Sequence, residues 1–520
     1  MIGLLLAASL EAASQPEAAR GDFLERHAIP AAFADPGWRR GVAAARAVYA
    51  DFVRRGQPVP RGVVALDYPA TDGNQVELQV GVEASWRAIL GSIRDARQSV
   101  NITMIGWQVD ELVPFHQPEE FGFELIDTLC EAARRGVSVN VAVNDMWFKQ
   151  KGWFLTGGFD RQFDRAIKKG RCQDASGKKL RYVRGIAWHR SGDFVVGRYD
   201  HRKLWIIDGR VAYVGGYTVS DEMRENMFDA EWELRGPVVA QLQANFLLSL
   251  GYAKAPLADF TECASDLGPA GCPEVGADRY REAVDRYFPA VPAAAPGAGK
   301  RLQIVQNNPL LEDPEALGVT RFYRKLISAA REHLQLASPF FTSDAIVDQV
   351  LERYADAGCR LQVDVLFPKR PEHMMIWGKK GRAEMKRLVL GARELRDRRC
   401  GGEGQDVEVW AFRGDGACQD YGREGRLHGK VLLTDDYVSI GSANLDGVSL
   451  ERNLELNVVS ADKDLVQRVN REFFVLGASP ECAEPMQFPA DARAAQAPAR
   501  REIGRIDQPG LAGAVASAEP

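Results

Sequence analysis

The chain has 520 residues, of which 46% are hydrophobic and 26% charged, with a formal net charge of −5 and a pI of about 6.0. This is the make-up of a soluble globular chain long enough for two or three domains. The acidic balance counts against a dedicated nucleic-acid binder, which carries a basic excess, and no stretch approaches the length of a membrane-spanning helix.

Residues 1–75 read as an N-terminal helical extension. The apolar run from Met1 to Leu10 lacks Lys and Arg and meets Glu11 early. It is a poor secretory signal and reads as the start of an amphipathic helix. "GWRRGVAAARAVYADFVRRG" also has helical period. A first half spans 76–255. In it "GVEASWRAILGSIRDARQ" predicts a helix, "SVNITMIGWQV" a strand, "GFELIDTLCEAARRG" a helix and "VSVNVAVND" a strand. Residues 256–300 form an irregular Pro/Ala-rich linker. A second half, 301–480, repeats the order with "TRFYRKLISAAREH", "LQLASPFF", "AIVDQVLERYADAG" and "CRLQVDVLF". Residues 481–520 read as a disordered tail. Strands alternating with helices, twice over, predict an α/β fold of two homologous halves, each a mixed sheet flanked by helices.

Each half carries a long insertion before its richest segment. The first holds Trp147-Phe148-Lys149-Gln150-Lys151-Gly152-Trp153-Phe154, aromatics interleaved with lysines that suit either a lipid headgroup boundary or, more commonly, a packed lid. The second, Lys369 to Arg399, includes Lys379, Lys380, Arg382, Lys386 and Arg387. A charge run of this kind is ordinarily a solvated helix face, and an anionic lipid surface is the alternative.

There are eight cysteines. Cys130 and Cys359 read as small core residues. Cys263 and Cys272 bracket one loop, Cys400 and Cys418 another, and the spacing allows disulfides or free thiols equally. The compartment stays open on these grounds, with the cytoplasm slightly favoured. His27, His116, His189, His333 and His373 have surface or hydrogen-bonding roles as their default, although His189 lies close enough to the first motif to border a pocket.

The most informative feature is a pattern that occurs twice. His201-Arg202-Lys203-Leu204-Trp205-Ile206-Ile207-Asp208 and His428-Gly429-Lys430-Val431-Leu432-Leu433-Thr434-Asp435 both read H-x-K-x-x-x-x-D. Each runs into a glycine turn, Gly215-Gly216-Tyr217-Thr218 or Gly441-Ser442-Ala443-Asn444, and each then reaches an acid at the same offset, Asp229 or Glu455. Alternation puts His and Lys of each copy on one strand face. An imidazole beside a fixed cation suits a phosphodiester: one ring attacks phosphorus, lysines neutralise the non-bridging oxygens, and the second ring protonates the leaving oxygen. Asp229 and Glu455 are candidates to hold the imidazole tautomers, within a half or across the halves. Pairing with a nearby arginine such as Arg235 or Arg452 is the plainer alternative for the two acids.

With its doubled motif the chain resembles the phospholipase D superfamily over about residues 80 to 475. "HRKLWIIDGRVAYVGGYTVSDE" and "LHGKVLLTDDYVSIGSANLDGVSLERNLELNVV" are similar to the two motifs of bacterial cardiolipin synthases and related phosphatidyltransferases. The copies differ: Gly216 and Thr218 stand against Ser442 and Asn444, Met227 stands against Asn453, and Val448 replaces an arginine common in the family. The resemblance implies two halves about a pseudo-two-fold axis and a phosphohistidine intermediate, with His201 as nucleophile and His428 as general acid. It implies no metal and no cofactor, and Asp208 and Asp435 as structural supports. Thr218, Ser442 and Asn444 line the site on this reading. The expected substrate is a phospholipid at a membrane surface, turned over by hydrolysis or by transfer to a lipid alcohol. No nucleic-acid partner is expected, and one chain suffices because it holds both motifs. A nuclease of the same superfamily is the alternative, and a non-catalytic membrane-associated protein a more distant one.

Overall fold

The computed structural model describes residues 70–105, 120–143, 172, 181–184, 200–219, 227–252, 299–307, 317–369, 375–414, 418 and 426–488. The first half contributes β1 (Thr71–Val80), α1 (Val82–Asp95), β2 (Ser99–Met104), α2 (Glu120–Arg134), β3 (Ser138–Val143), β4 (Arg181–Arg184), β5 (Leu204–Ile207), β6 (Val211–Gly215), β7 (Met227–Phe228), β8 (Ala230–Arg235) and α3 (Pro237–Tyr252). The second contributes β9 (Lys300–Asn307), α4 (Gly318–Ala329), β10 (His333–Ala337), α5 (Asp344–Asp356), β11 (Gln362–Pro368), α6 (Met375–Arg399), β12 (Val407–Phe412), β13 (Arg426–Leu427), β14 (Val431–Thr434) and β15 (Val438–Gly441). It continues through α7 (Gly447–Glu451), β16 (Glu455–Ser460), α8 (Lys463–Val469), a π-helical turn at Asn470–Val475 and β17 (Ala483–Pro485).

The two halves repeat one strand order. From the middle outwards the first runs β1-β8-β6-β5-β2-β3-β4 and the second β9-β16-β15-β14-β10-β11-β12, with β17 added at the far edge. In each half the outer three strands are parallel, and α2 or α5 makes the crossover between the first two of them. The inner strands are antiparallel and joined by short turns. One sheet per half is the sequence expectation. Instead, β1 pairs antiparallel with its counterpart β9 through Thr71↔Leu302 and Asn74↔Lys300, fusing the two sheets into one of 15 strands. Antiparallel pairing of equivalent strands relates the halves by a local two-fold. The edge backbone of β1 and β9 thereby finds hydrogen-bond partners.

Apolar helix α3 lies on this seam. Its Val238, Val239, Leu242 and Phe246 are buried in a core drawn from both halves, and Asn74 of β1 accepts the Val238 amide at 2.9 Å to hold its first turn. Polar Gln241, Gln243 and Asn245 of α3 are buried with them. In the same core Phe228 stacks between Phe412 and Phe473, with ring centroids 4.8 and 4.7 Å away. A first-half residue is thus sandwiched by second-half residues.

Two further sequence expectations change, those for the tail and the cysteines, while the basic insertion is the charged helix face expected of it. The tail begins later than 481, because β17 pairs with β12 from Trp410 to Phe412 and satisfies that edge. The basic insertion is α6, packed on α5 with Met385, Leu388, Val389 and Ala392 buried. Its cations are engaged, Arg387 with Asp348 and Glu384, Lys380 with Asp344, and Arg396 with Asp406. Finally, Cys130 and Cys359 are not free core thiols, nor do Cys400 and Cys418 join each other. The bonds are Cys130–Cys172, Cys359–Cys400 and Cys418–Cys482, because proximity in the fold decides pairing and proximity in sequence does not. The 147–154 aromatic segment, His189, Cys263 and Cys272 lie outside the described residues.

Candidate active site

The two motifs meet by exchange of backbone between the halves. The His201 amide donates to Leu454 O at 2.9 Å, beside a parallel bridge between Asp200 and Leu454. The His428 and Gly429 amides donate to Phe228 O at 2.8 and 3.1 Å, where β13 pairs parallel with β7. Each histidine is therefore clamped beside the residue that precedes the other half's acid. His201 Nδ1 lies 2.9 and 3.0 Å from the two Glu455 carboxylate oxygens, and His428 Nδ1 lies 2.8 Å from Asp229 Oδ2. Both pairs cross the interface, a choice open at the sequence level. Arg235 meets Glu233 at 2.9 Å.

Lys203 Nζ donates to the carbonyl of His201 at 2.8 Å and Lys430 Nζ to that of His428 at 2.5 Å. All six side chains are buried, the two histidines with a small residual exposure of 9% and 8%. Each lysine bears electrostatically on the other half's histidine as well as on its own.

The electrostatics follow from burial. Desolvation and the Lys430 charge push the His428 imidazole down to about 3, against the pull of Asp229. Burial lowers His201 too, opposed by Glu455 and reinforced by Lys203 and Lys430. Burial raises Asp229 and Glu455, but their histidine partners and the nearby lysines outweigh it, so both acids lie below the ordinary carboxylate range. Burial brings Lys203 down to about 8 and Lys430 well below its usual value. The resting site therefore holds two neutral imidazoles, each donating Nδ1–H to a carboxylate and presenting a bare Nε2.

The two acids are held unequally. Glu455 accepts Ser442 Oγ at 2.5 Å and Asn453 Nδ2 at 3.3 Å. Asp229 accepts the Ala230 amide at 2.8 Å and packs on Gly216, where a β-carbon would stand 2.6 Å from both carboxylate oxygens. The Gly216-for-Ser442 exchange and the shorter acid are one steric adjustment. Asn444 is buried with its Oδ1 unpartnered, and Thr218 is half-buried.

Asp208 and Asp435 sit at the other end of the motif strands. Asp208 takes the amides of Arg97, Gln98 and Ser99 at 2.7–2.9 Å, and Asp435 those of Arg331, Glu332 and His333 at 2.8–3.0 Å. Each ties down the start of its half's innermost parallel strand, β2 or β10. Exposed His333 bonds Asp435 as well, at 3.1 Å. Among the described residues Glu332, His333 and Asp435 are the group that comes together with metal-ligand proximity, and Asp435 there is already committed to backbone amides.

Two supports went unread in the sequence. Phe228, wedged between second-half rings, carries Asp229 to His428. Arg202 is fully buried between the site residues and bonds Asp200 at 2.7 and 2.5 Å and Asn245 of α3 at 2.5 Å; Asn245 in turn meets Gln306 of β9 at 2.6 Å. The signal was present: strand alternation aims Arg202 away from His201 and Lys203, where an apolar residue is ordinary, and a charge there requires a buried partner.

Known proteins resemble this chain in sequence and in fold. The family described as cardiolipin synthase, phospholipase D-like domain matches residues 323–476. A cardiolipin synthase of Listeria innocua serovar 6a is 24% identical over 417 residues, covering 78% of this chain and 69% of that protein. Cardiolipin synthase A of Pseudomonas syringae pv. syringae is 25% identical over 409 residues, covering 77% and 68%. In fold, the chain is similar to a phosphatidylserine synthase from Haemophilus influenzae Rd KW20, with a TM-score of 0.50 over 79% of this chain and 87% of that one, at 12% identity. Doubled motif, repeated half and relatives converge: this chain resembles the bacterial cardiolipin synthases and their phospholipase D-like domain.

Proposed function

We propose that the chain is a phosphatidyltransferase or phosphodiesterase of phospholipids, working through a phosphohistidine. The observation that carries this is the crossed pairing of His201 with Glu455 and His428 with Asp229, flanked by Lys203 and Lys430. His201 Nε2 attacks phosphorus while Glu455 stabilises the ring as it becomes cationic. Lys203 and Lys430 neutralise the non-bridging oxygens. His428 takes up a proton from solvent at Nε2 as the phosphodiester anion binds, gives it to the departing alcohol oxygen, then takes one from the incoming hydroxyl, which attacks the phosphohistidine and frees His201. A bare imidazole at rest is compatible with this role, because an arriving phosphate anion raises the proton affinity of the ring. Water as acceptor gives hydrolysis, and a lipid alcohol gives transfer. No step calls for a metal, since the two lysines supply the positive charge. One chain suffices, and the substrate is met at a membrane surface.

The test is mass spectrometry of products after incubation with phosphatidylglycerol vesicles, with and without added alcohol. Phosphatidic acid or a transphosphatidylated lipid is expected, lost in His201→Ala and His428→Ala by several orders of magnitude each. Turnover of single-stranded DNA with none of lipid would replace this reading with a nuclease. An adduct trapped on His428 instead of His201 would reverse their roles.

A further inference from the structure

Three disulfides cross-link the described chain, Cys130–Cys172, Cys359–Cys400 and Cys418–Cys482, over separations of 42, 41 and 64 residues. The first two do the same work in the two halves. Each joins the crossover helix region, at α2 or just beyond α5, to the chain that leads into the outer parallel strand, β4 or β12. The third fastens the chain beyond β12 to the segment that enters β17, closing the far edge of the sheet.

The two staples stand at different positions of the repeat. Ser99 and His333 are equivalent, since each gives its amide to its motif aspartate, and they pair with Ser138 and Gln362. Counting back from those partners aligns Cys130 with Tyr354 and Cys359 with Arg135.

The backbone at Cys359 adds independent support. Its φ is 58°, in the left-handed region just past the end of α5, where glycine or asparagine is the ordinary occupant. The Cys359 carbonyl accepts the Gln405 amide at 2.8 Å, and Gly404 packs so closely on it that a β-carbon there would clash. A cysteine in that conformation is explained by its bond to Cys400. Cys130, Cys172, Cys359, Cys418 and Cys482 are all buried, which protects the bonds from exchange once formed.

Thiols of cytosolic proteins are kept reduced, whereas disulfides accumulate where the compartment is oxidising. We infer that this enzyme matures in an oxidising compartment and meets its substrate there, each half locked by its own disulfide. Each bond forms by exchange with a disulfide donor: two thiols give up two protons and two electrons, and the donor leaves as a dithiol. This reverses the slight cytoplasmic lean of the sequence and is independent of which phosphodiester is turned over.

The experiment quenches the enzyme's own source cells in acid, blocks free thiols with N-ethylmaleimide and digests the recovered chain without reduction. Linked peptide pairs 130/172, 359/400 and 418/482 are expected in the mass spectrum, and reduction is expected to lower Tm by about 10 °C. Alkylation of all six cysteines in that material overturns the inference, as does an unchanged Tm on reduction. A second measurement isolates Cys359. In the reduced chain Cys359→Gly should melt above Cys359→Ser, because glycine takes the left-handed backbone freely. The reverse order counts against a cysteine retained there for its bond.

Discussion

Replacing Glu455 by Gln tests whether the crossed carboxylate acts in turnover or only in folding. The substitution keeps shape, the Ser442 bond and an oxygen able to accept His201 Nδ1–H, but removes the negative charge 2.9 Å from the ring. In the resting site that charge faces a neutral imidazole, so its loss costs the ground state little. It matters when His201 becomes cationic on attack. For charge centres about 4 Å apart at an effective dielectric near 20, the lost attraction is about 4 kcal/mol, or roughly a 10³-fold fall in kcat. Carboxylate-to-amide changes beside catalytic histidines elsewhere reach about 10⁴. Against burial, His201 and Lys203 hold Glu455 below its ordinary range, so loss of the charge should also lower Tm modestly. The assay is kcat on phospholipid vesicles alongside thermal melting, with KM as control for binding. Turnover within tenfold of the parent, in the folded variant, would falsify the catalytic role of the pair.

Gly216→Ala should displace the Asp229 carboxylate, since the added carbon meets both its oxygens at 2.6 Å, and lower kcat by about 10²-fold through misplacement of His428; Gly447→Ala, which meets nothing within 4 Å, is the control and should be silent in activity. Phe228→Ala should cost about 3–5 kcal/mol in chemical denaturation by opening a cavity between Phe412 and Phe473, and should depress activity beyond what the folded fraction explains. Lys203→Met should abolish turnover yet raise Tm at pH 7, because Lys203 is held charged there against burial that lowers it to about 8. His428 sets an acid limit on stability. Its pKa is depressed from 6.5 to about 3 on folding, so its contribution is complete above pH 6.5 and is lost as pH falls towards 3. Denaturation midpoints measured against pH should show less of that slope in His428→Gln.

Much of the architecture was legible because it is periodic. Helix and strand repeats around Ile89, Val100, Leu326 and Leu334 are set by side-chain alternation, and the doubled motif with matched offsets to Asp229 and Glu455 marked one site made by two halves. Chain order alone therefore determined the α/β halves and the chemistry-bearing residues. It left undetermined everything that depends on approach between distant segments. Which acid serves which histidine is decided by the backbone bonds from His201 to Leu454 and from His428 to Phe228, and local propensity says nothing about contacts some two hundred residues apart. The fusion of two sheets at β1 and β9 has the same cause, since an edge strand looks the same in sequence whether or not it finds a partner. Disulfide pairing is a third case, for spacing along the chain made Cys400 and Cys418 look like partners, while the fold brings Cys359 to Cys400 and Cys482 to Cys418. Residue type and period determine what a segment is and what chemistry it carries. Only the packed tertiary structure decides what it meets, because burial and long-range backbone pairing select the contacts and with them the charge state of every group in the site.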